Sequence, residues 1–336
     1  MWYYSTFFVI MNYLVSILVP IYKVEKKIEK NCISLFEQSY DNLEFIFIDD
    51  CSPDNSIEVL KGIIERYPNR KKQCKIIRHE QNRGLSAARN TALAAASGVF
   101  VCHVDSDDWL EWNAIENLVK RQKDTNADIV SGNSLRHMKS KTEIIIEPCY
   151  SGKNEMIDTL LSFCNPYYST IWRRLIRRSL YIDNNLMLKE GVNQGEDYQM
   201  LPRLVYFSNK IAKINEVIYH YNCLNQNSYM NRIDKDQKLW NEDIGSYKII
   251  ESFFSNKKLE WKIASSKKRF MIEQYYLSKA AQQHNKYLYD ELKADLCCID
   301  DTILKEMGWY NLLKHLIYSN YLICMLAMNF RGLFSK

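Results

Sequence analysis

The stretch Val99-Phe100-Val101-Cys102-His103-Val104-Asp105-Ser106-Asp107-Asp108-Trp109 decides how this chain is read. Its apolar half, following Gly98, has the length of a strand buried on both faces. It ends in three carboxylates within four residues. Like charges crowded at one strand end repel, and hard oxygen donors of this kind suit Mg²⁺ or Mn²⁺. The plainer reading is a solvated acidic turn in which Asp107 or Asp108 caps the following helix. The sequence on either side weighs against the plainer reading.

Working outward, residues 14–130 alternate strand and helix. Val15–Val19 reads as a strand, and Val24–Gln38 as a helix with Ile28, Cys32, Leu35 and Phe36 on one face. Glu44–Ile48 is a continuous apolar strand. Ser52-Pro53 opens a helix whose apolar face is Ile57, Leu60, Ile63 and Ile64. Lys75–Arg78 is a strand, Leu85–Ala96 an alanine-rich helix, Val99–Val104 a strand, Trp112–Lys123 a helix and Asp128–Gly132 a strand. Such alternation implies a mixed, mainly parallel α/β sheet with helices on both faces. Ligands of such sheets bind beyond the carboxyl ends of the strands, where Asp49-Asp50 and Asp105–Asp108 both fall. Beyond residue 134 the pattern changes. Ile144–Ile146 suggests an antiparallel strand, and with no proline after Pro202 the chain from about Asp234 reads as helices.

The net charge of +5 is too small to argue for nucleic acid. Ten cysteines show no CxxC pair and no zinc spacing, which points to free thiols in a reducing, cytoplasmic setting, with Cys297-Cys298 as helical core. Met1–Tyr22 carries no charged residue. A signal anchor is one reading. The absence of a basic flank before the apolar run, and Pro20 within it, favour a first strand behind an extension over residues 1–13, with Met11 as an alternative start. Segment 309–334 carries Lys314, His315 and Arg331 among aromatic and aliphatic residues, and its run Tyr321–Met328 is too short to span a bilayer. It reads either as a peripheral segment at the inner face of the cell membrane or as a helix packed on protein.

Taken together, Val15–Tyr22, Ile48-Asp49-Asp50-Cys51-Ser52-Pro53-Asp54-Asn55-Ser56, Asn82-Arg83-Gly84-Leu85-Ser86-Ala87-Ala88-Arg89-Asn90, Asp105-Ser106-Asp107-Asp108-Trp109 and Gly195-Glu196-Asp197 resemble glycosyltransferase family 2, the inverting enzymes of GT-A fold common in bacterial surface-polysaccharide assembly. The resemblance covers about residues 14–225. Each motif alone is weak; their order and spacing together are not. The resemblance implies a Rossmann-like GT-A catalytic domain over 14–230, with a nucleotide-binding half to about 132 and an acceptor half after it, and a helical C-terminal region over 231–336. It implies transfer of a sugar from a nucleotide-sugar, a UDP-sugar by preference, to a glycan or lipid-linked glycan.

By the same resemblance, Pro20 and Tyr22 line the base pocket and Asp50 accepts a hydrogen bond from the base. Gly84 allows close backbone approach, and Arg89 faces the nucleotide or forms a salt bridge inside the acidic cluster. Asp105 holds ribose hydroxyls and Asp107 binds the Mn²⁺ or Mg²⁺ that bridges the phosphates. Asp197 is the candidate general base, since direct displacement with inversion needs one carboxylate on the acceptor side. Glu196, Trp109 and His220 are acceptor-side or supporting residues, and Asp108 either backs the metal ligand or, the favoured reading, caps the next helix. Two departures stand out. Tyr219-His220-Tyr221-Asn222 places Asn222 where the family commonly has arginine, and Asn225-Gln226-Asn227-Ser228 follows where the family has a serine-containing segment. The basic run Arg173-Arg174-Leu175-Ile176-Arg177-Arg178 reads as replacement for the lost charge or as the solvated face of a helix. Two rivals are a scaffold that kept the fold and lost turnover, and a nucleotidyltransferase. Intact Asp105, Asp107 and Asp197 argue against the first. The lack of a glycine-rich loop in Pro20-Ile21-Tyr22-Lys23 argues against the second.

Overall fold

The computed structural model describes residues 12–162, 166–224 and 237–296, together with Asn320. The expectations for residues 1–11, for Asn225–Ser228, for Cys297-Cys298 and for the membrane-facing segment 309–334 fall outside the described residues.

In chain order the elements are β1 (Val15–Ile21), α1 (Ile28–Phe36), β2 (Leu43–Asp49), α2 (Ser56–Arg66), α3 (Pro68–Lys71), β3 (Cys74–Arg78), α4 (Leu85–Ala95), β4 (Phe100–His103), β5 (Trp109–Leu110), α5 (Ala114–Thr125), β6 (Ile129–His137) and β7 (Thr142–Ile145). There follow α6 (Lys153–Leu161), β8 (Arg174–Arg177), α7 (Ser179–Ile182), α8 (Glu196–Phe207), β9 (Ile211–Asn222), α9 (Gln237–Phe254), α10 (Leu259–Gln282) and α11 (Lys286–Leu296). The chain divides into two compact units. One comprises residues 1–149, 171–191 and 207–226, and the other 150–170, 192–206 and 227–336. Among the described residues, segments 150–162, 166–170 and 192–206 group with the helices that follow residue 237.

The first unit carries a nine-stranded sheet of order β3-β2-β1-β4-β8-β6-β9-β5, with β7 added to β6. β1 pairs in parallel with β2 and β4, and β2 with β3. All seven residues of β1 are buried, as the continuous apolar run of a covered parallel strand requires. β8 then enters antiparallel between β4 and β6, which makes the sheet mixed. Parallel pairing brings the carboxyl ends of β1, β2 and β4 together, and the residues after them share one edge of the sheet.

Three boundaries differ from expectation. Helix α2 starts at Ser56, not at Ser52-Pro53. The intervening turn is held by side chains, with Ser52 N donating to Asp49 Oδ1 (2.7 Å) and Ser56 N to Asp54 Oδ1 (3.2 Å). The acidic run does not cap α5, whose N-cap is Asn113; β5 intervenes and pairs with β9. The basic run 173–178 is no helix face: it contains strand β8, with Arg173 and Arg174 fully buried.

In the second unit α9, α10 and α11 share a core of Trp240, Ile244, Phe270, Tyr276, Leu277 and Leu288 among others. Among the described residues no helix is long and apolar enough to cross a membrane.

Candidate active site

Asp49 and Asp50 leave the end of β2 with different tasks. Asp49 accepts from Ser52 N and lies 3.4 Å from Arg78 Nε. Asp50, buried, engages four protein donors. Oδ1 takes His79 Nδ1 (2.7 Å) and Arg83 N (2.8 Å), and Oδ2 takes Asn82 Nδ2 (2.9 Å) and Gly84 N (2.8 Å). A carboxylate offers about four lone-pair sites, and these contacts use them. In this structure Asp50 is thus the clamp of the Asn82-Arg83-Gly84 turn, which opens α4. Gly84 sits at φ 89°, in the left-handed region where glycine alone is unstrained. His79 passes the restraint on through Nε2 to Thr91 Oγ1 at 2.9 Å. The sequence reading missed His79; a lone histidine at a strand end carries no pattern.

Pro20 is buried at the end of β1. Tyr22, two residues on, is 41% exposed beside the Asp49-Asp50 edge, and Asp50 N donates to Ile21 O there (3.0 Å). Arg89 resolves to the salt-bridge alternative. It is 2% exposed, and its Nη2 lies 2.8 Å from Asp105 Oδ1. Its charge serves the acidic cluster from within the protein.

Asp105 and Asp107 are half-buried and Asp108 is buried. Tyr219, fully buried on β9, donates from its hydroxyl to Asp108 Oδ2 (2.7 Å) and accepts from Asp105 N (3.1 Å). Asn222 N donates to Asp108 Oδ1 (2.7 Å), and Asn222 Nδ2 to Asp107 O (3.2 Å). Asp108 is therefore an internal anchor rather than a helix cap. Burial, then the charges of Asp107 and Asp105, hold its carboxyl well above the usual range. The same burial, with Asp108 beside it, raises the Tyr219 hydroxyl. Asn222, which stands in the commonly basic position, thus brackets the acidic turn through neutral hydrogen bonds.

His220 does not offer a ring nitrogen to a metal or phosphate. Its Nε2 lies 2.8 Å from Glu111 Oε1 and its Nδ1 2.9 Å from His137 Nε2. Trp109 is likewise taken by protein. It stacks on His137 and His220 with ring centroids 4.7 and 5.0 Å apart, and Lys30 Nζ sits 3.0 Å over its ring. The basic run supplies no surface charge from its first members. Arg173 Nη2 and Arg174 Nη1 meet Glu147 at 2.8 and 2.6 Å, and Arg174 also binds Ser131 Oγ.

Among the described residues no group of three His, Cys, Asp or Glu side chains forms a metal cage. The donor set fits a different kind of site. Mg²⁺-like ions commonly keep waters and are held by one or two carboxylates plus substrate phosphates. Asp105 and Asp107, half-buried at the turn, are carboxylates of the kind such a site would draw on.

In the second unit, Glu196 and Asp197 are the first two residues of α8, both half-buried, where acidic side chains complement the helix dipole. The approach to this helix is rigidly held. Glu242 Oε2, on α9, accepts from Asn193 N (2.8 Å) and Gln194 N (3.2 Å), and Ser246 Oγ donates to Gln194 O (2.8 Å). Gly195 has φ +71°, and a Cβ there would lie 2.8 Å from Asp243 Oδ1.

Comparison with known proteins agrees with this architecture. The profile of "Glycosyl transferase family 2" matches residues 16–183. The chain is 31% identical over 245 residues to the uncharacterized glycosyltransferase EpsJ of Bacillus subtilis, covering 70% of each chain. It is 31% identical over 218 residues to glycosyltransferase GlyA of Streptococcus pneumoniae, covering 62% of this chain and 30% of that one. The poly(ribitol-phosphate) beta-N-acetylglucosaminyltransferase TarS of Staphylococcus aureus is 27% identical, over 64% of this chain and 36% of its own length. Among solved structures, TarS 1–349 in complex with UDP-GlcNAc superposes with a TM-score of 0.56 at 19% identity, covering 82% of this chain and 87% of that one. A mannosyltransferase of Pyrobaculum calidifontis, in complex with GDP-Man and Mn²⁺, does so with a TM-score of 0.56 at 16% identity, covering 97% and 88%.

Proposed function

The chain belongs to glycosyl transferase family 2 and is a glycosyltransferase of GT-A fold, and from that premise we propose that it moves a hexosyl or N-acetylhexosaminyl group from a UDP-sugar to a glycan or lipid-linked glycan, with inversion, in bacterial surface-polysaccharide synthesis. The acidic turn after β4 carries the proposal: three carboxylates follow a strand end beside the ends of β1 and β2, with Asp108 buried against Tyr219 and Asp105 and Asp107 half-buried. The TarS structure with UDP-GlcNAc supports a uridine donor, and the poly(ribitol-phosphate) that names that enzyme's acceptor supports a polymeric acceptor.

In this reading Pro20 and Tyr22 form the wall against the base. Asp50 contributes by fixing the Asn82–Gly84 turn, so that Gly84 presents backbone to the donor. Asp105, oriented by Arg89, meets the ribose, and Asp107 holds a divalent ion. That ion, when bound, offsets charge on the departing diphosphate. Asp197 takes the proton from the acceptor hydroxyl as that oxygen attacks the anomeric carbon. The bond from that carbon to the diphosphate oxygen breaks, its electron pair leaves with the nucleotide, and configuration inverts. Glu196 braces the helix start beside it. A lipid-linked acceptor would place the reaction at the cytoplasmic face of the membrane, and segment 309–334 is the part of the sequence suited to touch that surface.

The test is a thermal-shift series with UDP, UDP-sugars and GDP-mannose, with Mn²⁺ or with EDTA. A ligand that binds only the folded state stabilises it by roughly 2.7 kcal/mol at 100 times its Kd. A metal-dependent rise with UDP compounds is expected. A folded protein that responds to no nucleotide would overturn the donor assignment and return the scaffold reading.

A further inference from the structure

We propose that α1 is the element that sets the geometry of the acidic turn, with Asn31 as its positioning residue and Ser34 and Gln38 extending the same polar stripe. The proposal rests on the donor reading above only for what the turn is for; the mechanical claim stands apart from it.

Helix α1 buries Ile28, Cys32, Leu35 and Phe36, as its apolar periodicity requires, but it also buries Asn31 completely. An amide carried into a core is costly unless its hydrogens find acceptors. Those acceptors are the two ends of the acidic turn. Asn31 Nδ2 donates to Asp105 O (3.0 Å) and to Asp108 O (2.8 Å). The turn is closed between the same two residues by Asp108 N donating to Asp105 O (3.0 Å). One side chain thus spans the motif without touching its carboxylates.

The stripe continues at helical spacing along the following segment. Ser34 Oγ accepts from Leu110 N (3.1 Å). Gln38, just past the helix, donates to Glu111 O (2.7 Å) and accepts from Ile115 N (3.1 Å). Residues 31, 34 and 38 lie on one helical face, and their partners advance in the same order along the chain. On the other side, Tyr219 and Asn222 hold Asp108 by its carboxylate. The turn is thus anchored by its backbone from α1 and by the Asp108 carboxylate from β9. Lys27, one turn before Asn31, belongs to the same face, and the charges of Asp107 and Asp108 act on its ammonium against the effect of burial.

Positioning of this kind has a measurable signature. Outer partners of metal ligands commonly change metal affinity 10–100-fold when removed. Asn31→Ala is the direct variant. Ser34→Ala is the second, because it removes one acceptor without orphaning the Asp105 and Asp108 carbonyls. Two readouts on the full chain are needed. The first is amide hydrogen exchange without ligand. Exchange at Asp108 and Leu110 should rise at least about 10-fold in Asn31→Ala, and at Leu110 in Ser34→Ala, with β1 and β2 unchanged. The second is the Mn²⁺ concentration for half-maximal UDP binding, which should rise about 10–100-fold in Asn31→Ala. Unchanged local exchange in folded variants overturns the proposal, as does faster exchange with an unaltered Mn²⁺ requirement. If the parent protein shows no Mn²⁺-dependent UDP binding, the donor reading fails, and the exchange result alone decides whether α1 positions the turn.

Discussion

At the scale of the residue, identical side chains separated by position took unrelated tasks. Asp105, Asp107 and Asp108 are neighbours in sequence, yet Asp105 is paired with Arg89, Asp108 is turned inward to Tyr219 and Asn222, and Asp107 is the one proposed to hold a cation. Motif spacing identifies the trio but cannot rank its members, because the ranking depends on β9, more than a hundred residues later. The same holds for Arg173 and Arg174, whose charge reads as surface in sequence and is neutralised in the core by Glu147. Removing one partner of a buried ion pair commonly costs about 3–5 kcal/mol. Glu147→Ala is therefore expected to lower the denaturation midpoint by that order, with Glu147→Gln losing less; equal stability of Glu147→Ala and parent would show the cluster is not paired as described. For Asp197 the expectation is catalytic. Asp197→Asn should lower kcat about 100- to 10,000-fold while UDP binding stays near normal. Weakened UDP binding in a folded variant would move Asp197 to the donor side.

At the scale of the element, the start of α8 shows how a helix terminus is aimed. Three backbone groups in residues 193–194 are held by Glu242 and Ser246 of α9, and Gly195 turns the chain at positive φ against Asp243. Gly195→Ala asks for a left-handed alanine and for 2.8 Å of space already filled. A cost of about 1–3 kcal/mol is expected, read as a lower unfolding midpoint. A variant as stable as the parent would mean that α9 yields easily at this point. The helices themselves were legible from periodicity, and so was the start of α4 at Leu85, but the start of α2 was not. Ser52-Pro53 looks like a helix start, yet Asp49 and Asp54 hold residues 52–56 as a turn, a competition that local propensity does not register.

At the scale of the whole molecule, pH dependence follows from what each unit buries. Asp243 is buried in the second unit; burial pushes its carboxyl up to about 6, against the hydrogen bond from Tyr276 and the charge of Lys268. The folded state therefore holds this proton more tightly than the unfolded chain does. The contribution is whole below the ordinary value of 3.8 and is lost as pH rises through about 6. At 1.36 kcal/mol per unit, ionisation costs the fold on the order of 3 kcal/mol above that window. Asp243→Asn keeps an acceptor for Tyr276 and never ionises. It should melt with the parent near pH 4 and above it near pH 8; a gap that does not change with pH would refute the assignment. The sequence by itself determined the alternation of strands and helices, the parallel β1, β2 and β4 and the acidic groups at their ends, because buried strands and amphipathic helices are periodic patterns written locally. Only the tertiary structure decided that Asp50 clamps a turn, that Asp108 faces Tyr219 and that His220 is spent on Glu111 and His137. Those outcomes depend on which distant donor reaches a buried acceptor first, and a burial cost of that kind is settled by packing, not by spacing.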